Sequence, residues 1–388
     1  MKPLYATGFT LASSLGRGTA PALEALRGER SGLRRNDFLD SALDTWIGRV
    51  DGLQDDSPVS RVHQIAQAGL DADGFAAVAS RARDAYGPDR VGIFIGTSSS
   101  GMLQGELAYR NRQPASGALP AGLSYRDSFD MHSPAAYVRA RLGLEGLASV
   151  VSTACSSSAK VFAAAYRAIE AGLCDAAVVG GVETLCFTTL YGFASLELLS
   201  REPCRPCDAD RTGISLGEGA AFMLLEQQDG SGEGLALLGY GESADAHHMS
   251  TPHPEGLGAA LAMRAALGSA GIAANDVDYV NLHGTGTRNN DAAEDAAIRS
   301  VFGERVACSG TKGWTGHALG AAGAIEAVLT LLCLRHGLAP GTLNTRKIDA
   351  GIKSNVLLES RDMPLKYALS NSFGFGGSNC SLLFGRTR

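Results

Sequence analysis

The sequence predicts an α/β protein whose sheets are covered by helices on both faces. Strand-like runs rich in β-branched and apolar residues recur along the 388-residue chain, and alanine-rich helical stretches alternate with them. This alternation favours sheets that are buried on both sides. A strand, a turn of small residues and a helix also follow one another in each half of the chain, which indicates an internal duplication.

The predicted elements are local runs of the two kinds. The strand-like runs are VGIFIG (91–96), LASVVST (147–153), DAAVVGG (175–181), AAFMLLE (220–226), VDYVNL (277–282) and SNCSLLF (378–384). The helical stretches are VFAAAYRAIEAG (161–172), LGAALAMRAALGSAG (257–271) and AAEDAAIRSVF (292–302). A further apolar run at 318–334 contains Glu326 and is shorter than the ~20 residues that a membrane span needs. It therefore predicts a buried helix.

The duplicated unit divides the chain. Its first copy reads SVVSTACSSSAKVFAAAYRAIEAG, and its second reads RVACSGTKGWTGHALGAAGAIEAVLTLLCLRHG. The acidic, glycine-rich stretch EQQDGSGEG (226–234) between them is typical of a joint. We therefore predict an N-terminal half, residues 1–228, and a C-terminal half, residues 229–388. The same stretch also fits the tip of a long hairpin, which would move the boundary without changing the chemistry.

Charge and composition exclude several classes of function. The net charge is −6 and the sequence pI is near 5.8, without a basic stripe, so nucleic acid is not expected as a partner. An acidic partner would need a local patch such as RSGLRR (30–35) or YRNR (109–112), although both stretches also fit solvated loops. The N-terminus lacks the uninterrupted apolar core of a signal peptide. We expect a soluble, cytoplasmic protein with no membrane span.

Eight cysteines are scattered along the chain, several of them in apolar runs. This usage fits small buried side chains in a reducing compartment rather than a disulfide framework. Cys204 and Cys207 have the spacing of a metal or redox motif, in CRPC. No second such pair completes a zinc site, and a proline-containing loop is a poor redox helix, so we interpret this motif as structural.

Cys155 lies among small and hydroxyl residues in VSTACSSSAK, between a predicted strand and a predicted helix. A helix N-terminus offers unpaired N–H groups and partial positive charge, which favour a thiolate. A sharp turn lifts the sulfur towards a substrate, and its backbone N–H can point at an oxyanion. On this stretch alone, a buried structural cysteine is an equally good interpretation.

Three further stretches favour catalysis. NLHGTGTRNNDAAEDAA places His283 at the end of a strand, before glycines and threonines. SGTKGWTGHALGAAGA carries Lys312 and His317 in a glycine-rich turn before a helix, and LSNSFGFGGSNCSLL contains a GFGG loop between strands. Glycines in such a loop bring backbone close to another group. Two histidines at strand ends, a cysteine in a turn and a glycine loop are hard to explain by packing alone.

These blocks resemble the signatures of the β-ketoacyl-acyl carrier protein synthases, the elongating ketosynthases of type II fatty acid and polyketide systems. The blocks VSTACSSSAK, HGTGTRNNDAAE, GTKGWTGHALGAAGAIEA and NSFGFGGSN occur in the family's order, with ADAHHMSTP (244–252) and CDADRTGISLGEGAAFMLLE (207–226) between them. The resemblance extends from about residue 1 to residue 385. It implies a thiolase-like fold, in which two duplicated α/β halves form a five-layered αβαβα architecture, and a homodimer.

The resemblance also implies roles for individual residues. Cys155, His283 and His317 correspond to the family's catalytic cysteine and histidines, with Lys312 as the active-site lysine and Glu294 as its acidic partner. Further correspondences concern the substrate: Thr285 and Thr287 for the phosphopantetheine arm, Phe375 for gating and the oxyanion hole, and Ser250 and Phe193 for substrate binding. Phe193, Leu196 and Leu198 are also expected to line the acyl tunnel.

The implied reaction is a decarboxylative Claisen condensation. An acyl chain is carried on Cys155 and condenses with a malonyl group held by acyl carrier protein. Two neutral imidazoles would stabilise the enolate, and the N–H groups of Cys155 and Phe375 would hold the tetrahedral oxyanion. The only carrier of substrate would be the phosphopantetheine of the carrier protein. No redox cofactor is expected, and no metal, because His283 and His317 lack a third ligand with recognisable spacing.

Three alternatives stay open at this point. A thiolase-type acyltransferase shares the fold but needs a second catalytic cysteine, and Cys380 lies inside a predicted strand. A starter-condensing synthase would carry asparagine where His317 stands. A ketosynthase-like subunit could act only in a heterodimer with a chain-length-factor partner, which is expected to have lost its nucleophile. The stretch at 181–200, GVETLCFTTLYGFASLELLS, resembles ketosynthases of specialised pathways such as aryl polyene clusters.

Overall fold

A computed structural model of the chain describes residues 1–54, 57, 59–121, 123–128, 130–228 and 234–387. Its strands are β1 (Leu4–Ser13), β2 (Gly16–Arg17), β3 (Leu33–Arg35), β4 (Trp46–Gly48), β5 (Val91–Gly96), β6 (Ala148–Val151), β7 (Ala176–Glu183), β8 (Leu216–Gly217), β9 (Gly219–Glu226), β10 (Leu235–Ala244), β11 (Tyr279–Leu282), β12 (Ala307–Gly310), β13 (Leu338–Ala339), β14 (Asn355–Val356), β15 (Arg361–Asp362), β16 (Tyr367–Gly374) and β17 (Ser378–Arg386). Its helices are α1 (Thr19–Arg27), α2 (Arg61–Leu70), α3 (Phe75–Tyr86), α4 (Met102–Arg110), α5 (Ser133–Leu142), α6 (Ser157–Glu170), α7 (Phe187–Ser195), α8 (Leu257–Ala270), α9 (Arg288–Phe302), α10 (Lys312–Thr315) and α11 (Ala322–His336).

The two halves repeat one strand order. In the N-terminal half the order is β6-β5-β7-β9-β1, and in the C-terminal half it is β12-β11-β16-β17-β10. In both halves the first three strands are parallel and the last two are antiparallel to their neighbours. Antiparallel pairing of Leu4 with Leu237 joins the halves into one 12-stranded sheet. The predicted boundary at 228/229 adjoins residues 229–233, which lie outside the described residues, and it stays a prediction.

Helices separate the strands into five layers. Helices α2, α3 and α5 pack on the outer face of the N-terminal strands, while α8 and α9 pack on the C-terminal strands. Helices α6 and α11 contact each other and strands of both halves, so they form a shared central layer. Each layer buries an apolar face against the next, which is the α/β architecture predicted from the alternating pattern.

The central helix α11 is buried on nearly all sides. Every residue from Ala322 to Leu334 is buried, as the apolar run at 318–334 predicts. A Cβ at Gly323 would lie 2.7 Å from the backbone nitrogen of Ala159, so glycine is needed where α11 crosses α6. Among the described residues, Leu319–His336 is the one stretch with the length and apolarity of a membrane span, and 89% of that window is buried inside the protein.

The predicted elements differ from the observed ones mainly at their ends. The strand predicted at 147–153 ends at Val151, because the chain then turns sharply through Ala154, whose φ is +52°. The helix predicted at 161–172 begins at Ser157. Apolar spacing marks where core-facing residues start, and here serines form the first turn ahead of them.

Candidate active site

Cys155 is held at a strained turn between β6 and α6. The residue before it, Ala154, has a φ of +52°, a left-handed conformation that costs roughly 1–2 kcal/mol for an L-residue. The backbone N–H of Thr153 donates to Ser157 Oγ at 2.9 Å and closes the turn. A Cβ at Gly374 would lie 2.8 Å from Thr153 O and 3.2 Å from Cys155 N. Glycine at the end of β16 therefore lets the GFGG loop run directly beside the cysteine.

His317 is the nearest polar side chain to the sulfur. Its Nε2 lies 3.1 Å from Cys155 Sγ, and the ring is only 2% exposed. Its backbone is fixed against the short strand β8: its N–H donates to Ser215 O at 2.7 Å, and its carbonyl accepts from Gly217 N at 2.9 Å. Nδ1 has no hydrogen-bond partner among the described residues, so the ring is not held in one tautomer.

Lys312 fixes the protonation state of His283. The lysine is fully buried, and its Nζ lies 3.3 Å from His283 Nδ1 and donates to His283 O at 2.5 Å. An ammonium group that donates to Nδ1 leaves the ring proton on Nε2. The His283 and His317 rings are 5.3 Å apart at 81°. Burial and the Lys312 charge lower the pKa of both histidines well below the usual value, so both are neutral.

The predicted pairing of Lys312 with Glu294 is wrong. Lys312 Nζ donates to Glu326 Oε1 at 2.5 Å, and both side chains are at most 2% exposed. The side chain of Lys312 points towards the central helix α11, on which Glu326 lies, rather than towards α9. Burial raises the pKa of Glu326, and Lys312 opposes that rise. The sequence feature that could have identified Glu326 as the partner of Lys312 is its position as the single acid in the apolar run at 318–334.

Glu294 instead holds the loop that carries His283. Its carboxylate accepts from the N–H groups of His283 and Gly284, at 2.8 and 2.9 Å, and from Asn371 Nδ2 at 3.1 Å. Burial raises the pKa of Glu294 to about 7. The residue therefore acts on the backbone of the histidine and does not contact the cavity that contains the sulfur.

Phe375 supplies a donor to the nucleophile. Its backbone N–H faces Cys155 and opposes the rise in the pKa of that thiol, and together with the N–H of Cys155 itself it can form an oxyanion hole. The Phe375 ring is 36% exposed and lies 5.8 Å from the ring of Phe193. Both rings stand at the edge of the cavity that leads to the sulfur.

One cavity of about 440 Å³ brings most of the predicted residues together. The residues from the sequence prediction that line it are Cys155, His283, His317, Thr285, Thr287, Ser250, Phe193, Leu196, Leu198 and Phe375. Thr285 Oγ1 and Thr287 Oγ1 hydrogen-bond to each other at 2.8 Å. Lys312, Glu294 and Glu326 lie behind the histidines and do not line the cavity.

A second, apolar environment adjoins the cysteine. We call it the apolar cluster: Phe38, Ile47, Leu103, Cys155, Leu185, Cys186, Phe187, Leu190, Ile214, Leu216 and Leu319. Burial among these groups raises the pKa of the Cys155 thiol to about 11, although Lys312 and the Phe375 N–H oppose the rise. The resting Cys155 side chain is therefore a thiol, and a base would have to take its proton for the sulfur to attack a substrate.

The sulfur and the two imidazoles form a cluster of three potential metal donors. The donor atoms of Cys155, His283 and His317 all lie within 4.8 Å of one another, so the third donor absent from the sequence spacing is the cysteine. His283 keeps its proton on the nitrogen that faces away from Lys312, and the buried lysine adds positive charge beside the cluster. This donor set fits a developing oxyanion better than a cation.

Other predicted features lie away from this site. Cys204 and Cys207 are both buried and free, and neither belongs to a donor cluster within the described ranges. The arginines of the stretch 30–35 are all paired with nearby acids, Arg30 with Glu24, Arg34 with Asp51 and Arg35 with Asp44. These pairs favour the interpretation as solvated loop charges.

Comparisons with known proteins agree with this geometry. Residues 63–230 match the profile for "Beta-ketoacyl synthase, N-terminal domain", and residues 236–346 match "Beta-ketoacyl synthase, C-terminal domain". A 3-oxoacyl-[acyl-carrier-protein] synthase 2 of Vibrio cholerae is 35% identical over 317 residues, 76% of each chain. The mitochondrial 3-oxoacyl-[acyl-carrier-protein] synthase of Arabidopsis thaliana is 41% identical over 268 residues, which are 64% of this chain and 58% of that protein.

Solved structures give the same family. The ketosynthase ApeO of Xenorhabdus doucetiae, solved in complex with its chain length factor ApeC, superimposes with a TM-score of 0.89 at 36% identity and covers 100% of this chain and 98% of its own. A beta-ketoacyl synthase of Burkholderia phymatum gives a TM-score of 0.88 at 30% identity, with both chains fully covered. The chain therefore belongs to the β-ketoacyl synthase family, condensing enzymes of the acyltransferase type with the thiolase-like ketosynthase fold.

Proposed function

We propose that this protein catalyses the decarboxylative condensation of a malonyl group on acyl carrier protein with an acyl chain held on Cys155. The observation that carries the proposal is the arrangement around the sulfur. His317 Nε2 lies 3.1 Å from Sγ, and Phe375 and His283 line the same cavity as the sulfur, with Lys312 fixing the tautomer of His283.

In the first step Cys155 attacks the thioester carbonyl of an acyl carrier protein. His317 Nε2 accepts the thiol proton as the C–S bond to Cys155 forms, and the N–H groups of Cys155 and Phe375 hold the oxyanion. The tetrahedral adduct then breaks its bond to the carrier sulfur, which takes the proton from His317. Because His317 Nδ1 has no fixed partner in the described structure, the ring can first accept and then donate.

In the second step a malonyl-carrier thioester enters the same cavity. Once the ring proton of His317 has moved from Nδ1 to Nε2, the Nε2–H groups of His283 and His317 donate to its carbonyl oxygen while the bond to the carboxylate breaks and CO2 leaves. The electron pair stays on the α-carbon as an enolate, which attacks the acyl carbon on Cys155. The new C–C bond forms, the C–S bond breaks, and the Cys155 thiolate takes a proton from solvent. Two oxyanions thus use two sets of donors.

The cavity wall suggests how the substrates are held. The Thr285 and Thr287 hydroxyls and Ser250 line the path to the sulfur, where they can bind the amides of a phosphopantetheine arm. The apolar cluster beside Cys155 is the natural place for the acyl chain. Acyl carrier protein is therefore the proposed partner, and its prosthetic arm enters as part of the substrate.

The assembly is a separate part of the proposal. We propose that the protein is cytoplasmic, since all eight cysteines are free, as expected in a reducing compartment. We also propose that it forms a dimer. The similarity to ApeO, a ketosynthase solved in complex with its chain length factor, favours a heterodimer of that kind as the second candidate beside a homodimer.

Intact-mass analysis tests the proposal. The native chain and Cys155→Ala are exposed to acyl carrier proteins of several chain lengths, and malonyl-carrier is then added. We expect an acyl adduct on the native chain alone, discharged as CO2 is released. Adducts on both proteins, or an adduct that malonyl-carrier does not discharge, would contradict the proposal. If the isolated chain forms no adduct, repeating the assay with a copurified partner subunit distinguishes an incomplete heterodimer from a non-catalytic chain.

A further inference from the structure

A second buried carboxylate, Glu183, lies near the nucleophile without a counter-ion. It ends strand β7 and is 0% exposed. Its oxygens accept from the backbone N–H groups of Ser98, Ser99 and Gly320 at 2.7, 2.9 and 2.9 Å. The hydroxyls of Ser98 and Ser99 donate to it as well. Thr97 Oγ1 is a further donor at 3.5 Å, and no cation contacts the carboxylate in the described part of the chain. Burial raises the pKa of Glu183, and its hydrogen-bond donors oppose that rise and stabilise the carboxylate.

These donors come from both halves of the molecule. Ser98 and Ser99 follow strand β5 in the N-terminal half, whereas Gly320 follows His317 in the C-terminal half. A Cβ at Gly320 would lie 2.4 Å from Ser98 N and 2.5 Å from Glu183 Oε2. The residue must therefore be glycine, and the turn after His317 sits directly on the carboxylate.

The turn that Glu183 holds is part of the active site. His317 is three residues before Gly320, and Leu319 between them has a φ of +43° and belongs to the apolar cluster with Cys155. The backbone of His317 is tied to Ser215 and Gly217 on its other side. The distance between His317 Nε2 and Cys155 Sγ thus depends on two anchors, and both connect the C-terminal half to the N-terminal half.

Charge is the second effect of Glu183 on the nucleophile. Burial is the main cause of the raised pKa of the Cys155 thiol; among the charged groups, Lys312 lowers that pKa, and the carboxyls of Glu183 and Glu326 add smaller rises. His283 and His317 face the sulfur as neutral rings. Because Glu326 is paired with Lys312 and Glu183 has no such partner, removing the Glu183 charge changes the local field without leaving a cation unpaired.

We propose that Glu183 is a positioning residue, which fixes the turn carrying His317 against Cys155 and places a carboxylate beside that turn. The positioning part rests on the proposed function, since it concerns transfer of the acyl group to Cys155. Deprotonation of the nucleophile then follows the arrival of substrate, when His317 accepts the proton.

Two variants of Glu183 separate the effect of its side-chain length from the effect of its charge. Glu183→Asp keeps the charge and shortens the side chain, while Glu183→Gln keeps the length, removes the charge and turns an amide towards N–H donors. Asp278→Asn is the matched control, because Asp278 also accepts from two backbone N–H groups, those of Lys366 and Tyr367, and does not line the cavity. The readouts are the rate of acyl transfer from acyl carrier protein and the pH profile of Cys155 alkylation by iodoacetamide, which needs no carrier.

We expect both Glu183 variants to transfer the acyl group about tenfold to a hundredfold more slowly, as a small displacement of a catalytic group does. Glu183→Gln should also be alkylated about threefold to tenfold faster below pH 9, because the thiolate fraction rises tenfold for each unit of pKa lowered. Glu183→Asp and Asp278→Asn should keep the native alkylation profile. Equal acceleration in both Glu183 variants would indicate a loosened site and overturn the charge effect.

Full acyl transfer in Glu183→Asp would overturn the positioning role. A native alkylation profile in Glu183→Gln would overturn the charge effect. A native enzyme that accepts no acyl group from any carrier, with the alkylation results as expected, would instead contradict the proposed function and leave the assignment of the charge standing.

Discussion

At the residue scale, Lys312 controls more of the site than any other side chain behind the cavity. Its ammonium contacts His283 and Glu326, lowers the pKa of both histidines and opposes the rise in the pKa of Cys155. In a buried site such charges act at low effective dielectric, so a single cation reaches all three reacting groups. The lysine is itself not a base, because it is held by an acid and a carbonyl.

Replacing Lys312 with methionine should therefore impair the second step most. Without the ammonium, His283 is free to place its proton on Nδ1 and to lose its donor towards the thioester oxygen. We expect Lys312→Met to release CO2 from malonyl-carrier about a hundredfold more slowly, the effect of losing one oxyanion donor. The pKa of Cys155 should rise, so alkylation at a fixed pH should slow, opposite to the change expected for Glu183→Gln.

The control for Lys312→Met addresses stability. Removing one partner of a buried ion pair costs roughly 3–5 kcal/mol, because the remaining charge is left uncompensated. Lys312→Met/Glu326→Gln removes both charges and should regain much of the free energy of unfolding, measured by urea denaturation. It should nevertheless stay slow in releasing CO2. Native decarboxylation in the double variant would show that Lys312 acts only through folding.

At the element scale, α4 and α7 are clamped together at the far side of the apolar cluster. Glu106 on α4 accepts from Phe187 N and Thr188 N at the start of α7. One turn further along, Arg110 stacks over the Phe187 ring at 3.7 Å and hydrogen-bonds to Asp40 at 2.7 Å. Phe187 is thus fixed between a cation and the apolar cluster, which is where we propose that an acyl chain on Cys155 lies.

Phe187→Ala should lengthen the acyl chains that the protein accepts. The change removes a ring from the apolar cluster and should cost about 3–5 kcal/mol of stability, as a buried phenylalanine does. In competition between carrier-bound acyl groups, intact-mass analysis should show the upper limit of chain length shifting by several carbons. Tyr109→Ala, at a ring on α4 that is 58% exposed, is the control. An unchanged limit in Phe187→Ala would place the acyl chain elsewhere.

The same scale shows what the sequence could predict about the site. Cys155 and His283 follow strands, and His317 follows the short helix α10. The residue types in these local turns were enough to predict that the three side chains belong to one site, and they line one cavity. The partner of Lys312 depends on how α9 and α11 pack around the lysine, and that is set by contacts distant in sequence. Both Glu294 and Glu326 lie on helices near the histidines, so spacing alone did not separate them. Glu183 was missed because it ends an ordinary buried strand.

At the scale of the whole molecule, the duplication was predictable and the shared layer was less so. Repeated strand–turn–helix units predict two similar halves, because each unit is a local pattern. The central position of α6 and α11 depends on which faces of the two sheets meet. In the sequence, the one indication of this central position was the apolar run at 318–334, which has no polar face and therefore predicts a helix buried on nearly all sides. The active site lies where these halves meet, with Cys155 from one and His317 from the other.

The shared central layer predicts that the halves unfold together. Leu329 lies on α11, is 0% exposed and belongs to the core cluster that contains residues of both halves. Leu329→Ala should lower the free energy of unfolding by about 2–5 kcal/mol. Hydrogen exchange measured by mass spectrometry in urea should show β7 and β16, one from each half, losing protection at the same lowered concentration.

Leu173→Ala is the matched control for that experiment, because Leu173 is 58% exposed, and it should change stability by less than about 0.5 kcal/mol. A shift confined to β16 would mean that the C-terminal half unfolds alone, and the catalytic cysteine would then be separated from its histidines before the N-terminal half is lost. A common shift means that no partly folded state keeps half of the site. Assembly of the nucleophile with its donors is then coupled to folding of the entire chain, because α11 supports both.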